Sequence, residues 1–214
     1  MITFNLLISH VLHIDQTLFS FVSSYGTLTY VLLFVIIFAE TGFVVTPFLP
    51  GDSLLFAAGS IAAQPNSALN IQLLVILLIL ASTLGNKINY LIGRTIGPKI
   101  FTSQQSRFFN KKYLMDAHLF YEKHGGKAIL LARFIPIIRT FAPFVAGIGA
   151  MRLHQFSLCN IASAVFWVGT MLGAGYFLGT LSFFQNHFSL VIYSIVAISL
   201  LPVLLPIARS LTTQ

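Results

Sequence analysis

Four charged residues sit where the surrounding sequence is almost wholly apolar: Glu40, Asp52, Arg133 and Arg139. A single charge at the centre of a bilayer costs about 2.5–3.5 kcal/mol on insertion scales. Four unpaired charges would cost roughly 10–14 kcal/mol on the same scale, comparable to the stability of a whole domain. They must face each other, water or a charged ligand. Arg133 and Arg139 are six residues apart, with Pro136 between them. Two planar guanidinium forks on a bent segment can clamp one phosphate or carboxylate. Glu40 and Asp52 cannot clamp an anion, but they can hold protons. The four residues thus divide into a substrate-binding pair, Arg133 and Arg139, and a proton-coupling pair, Glu40 and Asp52. A purely structural alternative is two salt bridges that fasten the two segments together. Apolar packing could replace such bridges with little loss, so four charges at these positions point to use.

The chain around them has 214 residues, of which 57% are apolar and 8% charged. A soluble domain carries about a quarter charged residues, so an ordinary soluble domain, a disordered chain and a fibrous repeat are excluded. The expectation is an all-α polytopic membrane protein with a single membrane domain over 25–208. A helical span needs about twenty apolar residues. Spans are expected at 25–46, 69–92, 156–178 and 188–208, four in all. Residues 1–24 are broken by His10, His13, Asp15 and Gln16 and suit an interfacial helix. Residues 209–214 form a C-terminal tail.

Two stretches do not fit a simple span. Between 40 and 63 an apolar run is interrupted by Pro47, Pro50, Gly51 and Asp52, and its second part is too short to cross alone. Between 128 and 151 the pattern returns, with Arg133, Pro136, Arg139, Pro143 and Gly147. Irregular backbone at membrane depth is tolerated only where it lines a cavity or is buried in protein. Both stretches are therefore expected to be re-entrant hairpins, shaped by Pro47, Pro50, Gly51, Pro136, Pro143 and Gly147. Paired interrupted segments of this kind mark a transporter site between inverted repeats.

Orientation follows from the basic residues. No Lys or Arg precedes Lys87, whereas Lys87 to Lys127 holds eight basic and two acidic residues. Such an excess marks the cytoplasmic side. Residues 93–127 are expected to carry a basic amphipathic helix on that side, and both termini fall there too. The two hairpins then enter from opposite faces. A nucleic-acid partner is not expected, because the basic block lies between membrane spans and no soluble recognition fold accompanies it. The lone Cys159 excludes an internal disulfide and a cysteine-built metal site. No metal, cofactor or enzymatic activity is expected: no nucleophile elbow or paired-acid hydrolase pattern is present. Trp167, mid-span, reads as packing. Gly169, Gly173, Gly175 and Gly179 read as close helix contacts.

Several of these segments together resemble the bacterial DedA family, part of the wider VTT or SNARE-associated membrane proteins. They are Phe38-Ala39-Glu40-Thr41-Gly42, Pro47-Phe48-Leu49-Pro50-Gly51-Asp52, Tyr90-Leu91-Ile92-Gly93-Arg94, Tyr121 to Lys127 and Phe134 to Gly147. The likeness runs from about Ile14 to Gly179. It implies opposed re-entrant hairpins in a bacterial inner membrane. It also implies translocation of undecaprenyl phosphate or a related anionic lipid, driven by the proton motive force. The family's essential acids match Glu40 and Asp52, and its essential arginines match Arg133 and Arg139. One departure stands out: family members commonly carry Gly-Asp where this chain has Gly85-Asn86, followed by Lys87. Asn86 can hydrogen-bond but cannot titrate. The expected partners are thus a polyprenyl phosphate or phospholipid, protons and membrane lipids. The competing readings are a proton-coupled exporter of small cations, whose acids bind the substrate, and a non-transporting scaffold.

Overall fold

A computed structural model describes residues 25–43, 51–65, 67–101, 119, 123, 125–133 and 136–181. The expected interfacial helix at 1–24, the hairpin residues Pro47 and Pro50, most of the amphipathic region of 93–127 beyond Phe101 and the span at 188–208 lie outside these residues. The described chain is helical. Its six helices are α1 Thr27–Gly42, α2 Gly51–Ala62, α3 Ile71–Phe101, α4 Gly126–Ala132, α5 Pro136–Ile148 and α6 Leu153–Gly179.

Among the described residues two helices are long and apolar enough to cross a membrane: α3, over Ile71–Ile96, and α6, over Leu153–Gly179. They match the spans expected at 69–92 and 156–178. Asn70 caps α3, its Oδ1 accepting from the backbone N–H groups of Gln72 at 2.9 Å and Leu73 at 3.2 Å. That satisfies two of the donors a helix start leaves open. α3 runs nine residues past the expected limit of its span. Hydropathy falls at Gly93-Arg94, but a backbone ladder has no reason to stop there. α1 is 16 residues and α2 is 12, so neither reaches the roughly twenty needed for a crossing.

The long helices are apolar on their exposed side. On α3, Ile76, Leu80, Leu84, Ile88 and Leu91 are exposed, whereas Ser82, Asn86 and Asn89 are buried. On α6, Leu158, Ile161, Val165 and Phe166 face outward, whereas Asn160 and Ser163 are buried. Polar groups turned inward and aliphatic groups turned outward are what a lipid environment demands.

The chain divides into two compact units. One comprises residues 1–35, 50–78 and 168–214. Within it α2 is buried along nearly its whole length and packs on the C-terminal part of α6. A Cβ at Gly59 would collide with the carbonyl of Leu172, and one at Gly175 with the carbonyl of Phe56. Only glycine allows backbones this close. Gly179 is likewise tight against Ser60, while Gly169 and Gly173 have open space. Two of the four expected glycine contacts on α6 are therefore present. Tyr30 of α1 accepts from the backbone N–H of Asn70 at 2.6 Å, tying α1 to the start of α3.

The other unit comprises residues 36–49 and 79–167. Its core groups Tyr90, Ile129, Ala132, Ala142, Ala146, Met151 and Phe156, with the Tyr90 and Phe156 rings stacked 4.4 Å apart. α4 and α5 pack together here. Gly125, at φ 54, precedes α4; glycine takes this left-handed conformation without strain. Pro136 opens α5, where its missing N–H costs nothing. α5 ends in a Schellman turn: Met151 N donates to Ala146 O and Ala150 N to Gly147 O, both at 3.1 Å. Ala150 takes the left-handed φ of 52 that such a turn requires. The turn carries Met151 back to α3, where its carbonyl accepts from the Tyr90 hydroxyl.

Candidate functional site

The second unit collects three of the four intramembrane charges. Glu40 lies on the last turn of α1, Arg133 follows α4, and Arg139 lies on α5. All three are buried. Arg139 and Glu40 form an ion pair with Nη2 2.5 Å from Oε1. Glu40 and Arg139 each sit within a helix. Pro143 is also inside α5. It has no N–H to give the carbonyl of Arg139, four residues earlier, so the helical ladder lacks a rung where it carries the arginine.

Arg133 is held differently. Its Nη1 donates to Ser163 Oγ at 3.2 Å, and its Nη2 donates to Ser82 Oγ. Ser163 Oγ in turn donates to the carbonyl of Asn160 at 2.9 Å. Both guanidinium groups also lie on the ring of Trp167, with Cζ at 4.9 Å for Arg133 and 4.8 Å for Arg139. A desolvated cation over an indole gains about 2 kcal/mol, which offsets part of the cost of burying two like charges together. Trp167 is therefore more than core packing.

α3 supplies the frame. Ser82, Asn86 and Asn89 recur at helical spacing and present one polar stripe. Asn89 Nδ2 donates to the carbonyls of Thr41 at 3.2 Å and Thr140 at 2.8 Å. These are the residues next to Glu40 and Arg139, so one carboxamide fixes the register of the ion pair. Gly85 makes this possible: a Cβ there would strike Thr41 Oγ1 and the Phe38 carbonyl. Gly147 has a matching role on α5, where a Cβ would collide with the Tyr90 carbonyl. Its place is thus a helix crossing. Tyr90 also accepts from Arg94 Nη1 at 2.7 Å.

Between these groups lies a cavity of about 10 Å³, lined by Asn86, Ile129, Arg133, Arg139, Ala142 and Pro143. Two cations and one carboxamide thus border one small space between apolar helices. That arrangement can receive an anion or the oxygen of a hydrogen-bonding group. Among the described residues no three His, Cys, Asp or Glu side chains group to hold a metal ion. Asp52 belongs to the first unit, in the first turn of α2, where the helix dipole favours a negative charge. Gly51 is the first residue of that helix.

The sequence reading did not single out Asn89, Asn160, Ser82 or Ser163. Their signal is recurrence of neutral polar residues along one face of an apolar helix.

Comparison with known proteins agrees with the resemblance carried by the motifs. The VTT domain family matches residues 49–177. Protein DedA of Escherichia coli (strain K12) is 49% identical over 203 residues, covering 95% of this chain and 93% of that protein. A membrane protein of Mycobacterium tuberculosis (strain ATCC 25618 / H37Rv) is 44% identical, covering 83% of this chain and 78% of its own length. Inner membrane protein YqjA of E. coli K12 is 34% identical, covering 74% and 71%. No solved structure matches significantly. With a polar, arginine-bearing interior inside lipid-compatible helices and this identity over nearly its full length, the chain belongs to the DedA family of VTT-domain membrane proteins.

Proposed function

We propose that this protein is a membrane transporter that moves a lipid with an anionic phosphate head group, of the polyprenyl phosphate type, across a bacterial inner membrane. The observation that carries the reading is the convergence of two buried guanidinium groups on one cavity. Arg133 and Arg139 take the phosphate while the lipid chain stays in the bilayer. Glu40, released from Arg139 when the phosphate arrives, becomes free to take up a proton; Asp52 is the second acid of the coupling. Such reciprocal weakening links anion binding to proton binding. The proposal includes four spans, two re-entrant hairpins at 40–63 and 128–151 arranged as inverted repeats, and both termini in the cytoplasm. An inner-membrane location is supported by the name of the YqjA relative.

The test is transport of undecaprenyl phosphate by purified protein in liposomes, with and without an imposed pH gradient. Arg133→Lys and Arg139→Lys keep the charge but lose the planar fork, and each is expected to reduce transport at least tenfold. Wild-type transport by the double Lys variant refutes the phosphate clamp. Glu40→Gln and Asp52→Asn are expected to abolish the response to the gradient. A full response in both variants refutes proton coupling. Topology has its own test. Single cysteines at Asn66 and Asn110, in a Cys159→Ser background, are expected to label from opposite sides of the membrane.

A further inference from the structure

Asn86 combines three properties. It is buried, at 3% exposure. It lines the cavity that Arg133 and Arg139 border. Its Oδ1 has no hydrogen-bond partner, although a buried acceptor left unsatisfied costs about 1–3 kcal/mol.

The orientation of the amide follows from its neighbours. Asn160 bonds the backbone carbonyl of Thr83 at 3.0 Å. A carbonyl only accepts, so the nitrogen of Asn160 must be the atom that faces it. That turns Asn160 Oδ1 toward Asn86, at 2.8 Å, and Asn86 must meet it with Nδ2. The oxygen of Asn86 is then the atom left over, and flipping the amide would set two acceptors against each other. A relay from Thr83 through Asn160 thus fixes an unpaired acceptor on a residue that shares one cavity with Arg133 and Arg139, whose guanidinium groups can only donate.

Whatever occupies this space must accept from the arginines and donate one hydrogen to Asn86, as a water molecule does; for an anionic ligand that means oxygens that accept and one hydroxyl that donates. A singly protonated phosphomonoester, ROPO₃H⁻, does so. A phosphodiester cannot: it has no P–OH, and its oxygens would oppose Asn86 Oδ1. The cavity of about 10 Å³ has room for about one water-sized group, which suits one phosphate hydroxyl. We propose that Asn86 selects the protonated phosphomonoester, accepting its P–OH, and thereby discriminates against diester head groups. This deepens the phosphate reading of Arg133 and Arg139 and rests on it. An aspartate at this position would present anionic oxygens to the same ligand, so the asparagine changes the site's chemistry.

The test uses the full chain in detergent micelles and calorimetric binding of decyl phosphate, its methyl ester and inorganic phosphate at pH 5.5. The wild type is expected to bind decyl phosphate at least tenfold more tightly than the methyl diester. Asn86→Ala is expected to narrow that ratio below threefold. Equal affinities in the wild type, or a ratio retained in Asn86→Ala, overturn the proposal. If the variant does not fold, the wild type decides alone. The monoester-to-diester ratio is expected to fall about tenfold per pH unit above the second phosphate pKa of about 6. Any pH effect common to both esters, such as one at Glu40, cancels in the ratio, and Arg133 and Arg139 stay charged throughout. A ratio that is flat from pH 5.5 to 8 overturns the proposal. Inorganic phosphate binding as tightly as decyl phosphate supports the same acceptor but makes free phosphate the source. If no ligand binds the wild type, or Arg133→Ala binds both esters undiminished, the phosphate reading fails first and this proposal with it.

Discussion

Glycine brings helix backbones together in both units, but what surrounds the contact differs. Where α2 meets α6, Gly59 and Gly175 touch carbonyls amid Leu54, Leu55, Ala57, Ala58 and Leu172, which are all buried and apolar. Where α3 meets α1 and α5, Gly85, Gly93 and Gly147 make the same kind of approach. There the neighbours are Asn86, Asn89, Glu40, Arg139 and Thr140. In lipid, close packing alone can hold helices together, and the first contact needs nothing else. The second uses the same closeness to bring carboxamides within reach of backbone carbonyls, and so holds charges in register. One device serves cohesion in one unit and a site in the other.

The ion pair should show the largest effect. Glu40→Ala or Arg139→Ala removes one half of a buried ion pair, a loss of about 3–5 kcal/mol. The double variant should recover part of it, and thermal unfolding in micelles reads both. Additive losses would mean the two groups do not depend on each other. Next come the crossings. Gly147→Val and Gly175→Val each overpack a backbone contact and should cost about 1–3 kcal/mol or more. Only the Gly147 variant should also impair transport beyond its stability loss. Equal impairment by both would erase the distinction between the units. Asn89→Ala removes two bonds to carbonyls and should cost about 1–3 kcal/mol. The smallest effect is expected on α6, at Gly169, where a Cβ meets nothing within 4 Å. Gly169→Ala should be stabilising by about 0.5–1 kcal/mol, the helix-propensity difference.

The charged part of the site was legible in the sequence because a charge in an apolar context is costly and therefore conspicuous. Glu40, Arg133 and Arg139 stand out on that ground alone. Asn89, Ser82 and Ser163 do not, because neutral polar groups are common in spans and their meaning lies in which face they share. Asn86 draws notice only as a departure from the family pattern, which gives no hint of its amide orientation. Local signals also mislead about geometry. Pro136 and Pro143 suggest a polar turn around Arg139, but Pro136 starts α5 and Pro143 lies within it. Proline is tolerated in helices packed among others, where neighbours compensate for the lost bond. The helix of the span expected to end at Ile92 continues for a related reason: hydropathy reports the preferred solvent, whereas the helix follows its hydrogen bonds to Phe101.

Trp167 is the one tryptophan in the chain, and it is 2% exposed. Its indole lies within 5 Å of both guanidinium carbons. Nearly all emission excited at 295 nm in about 24,000 daltons of protein thus originates at the arginine pair. An anion that draws either guanidinium off the ring changes the field at the indole, and the emission shifts in wavelength or intensity. The protein carries its own optical gauge of occupancy, free of any attached dye. Stopped-flow fluorescence of the unmodified chain should therefore resolve the arrival of a phosphate in time.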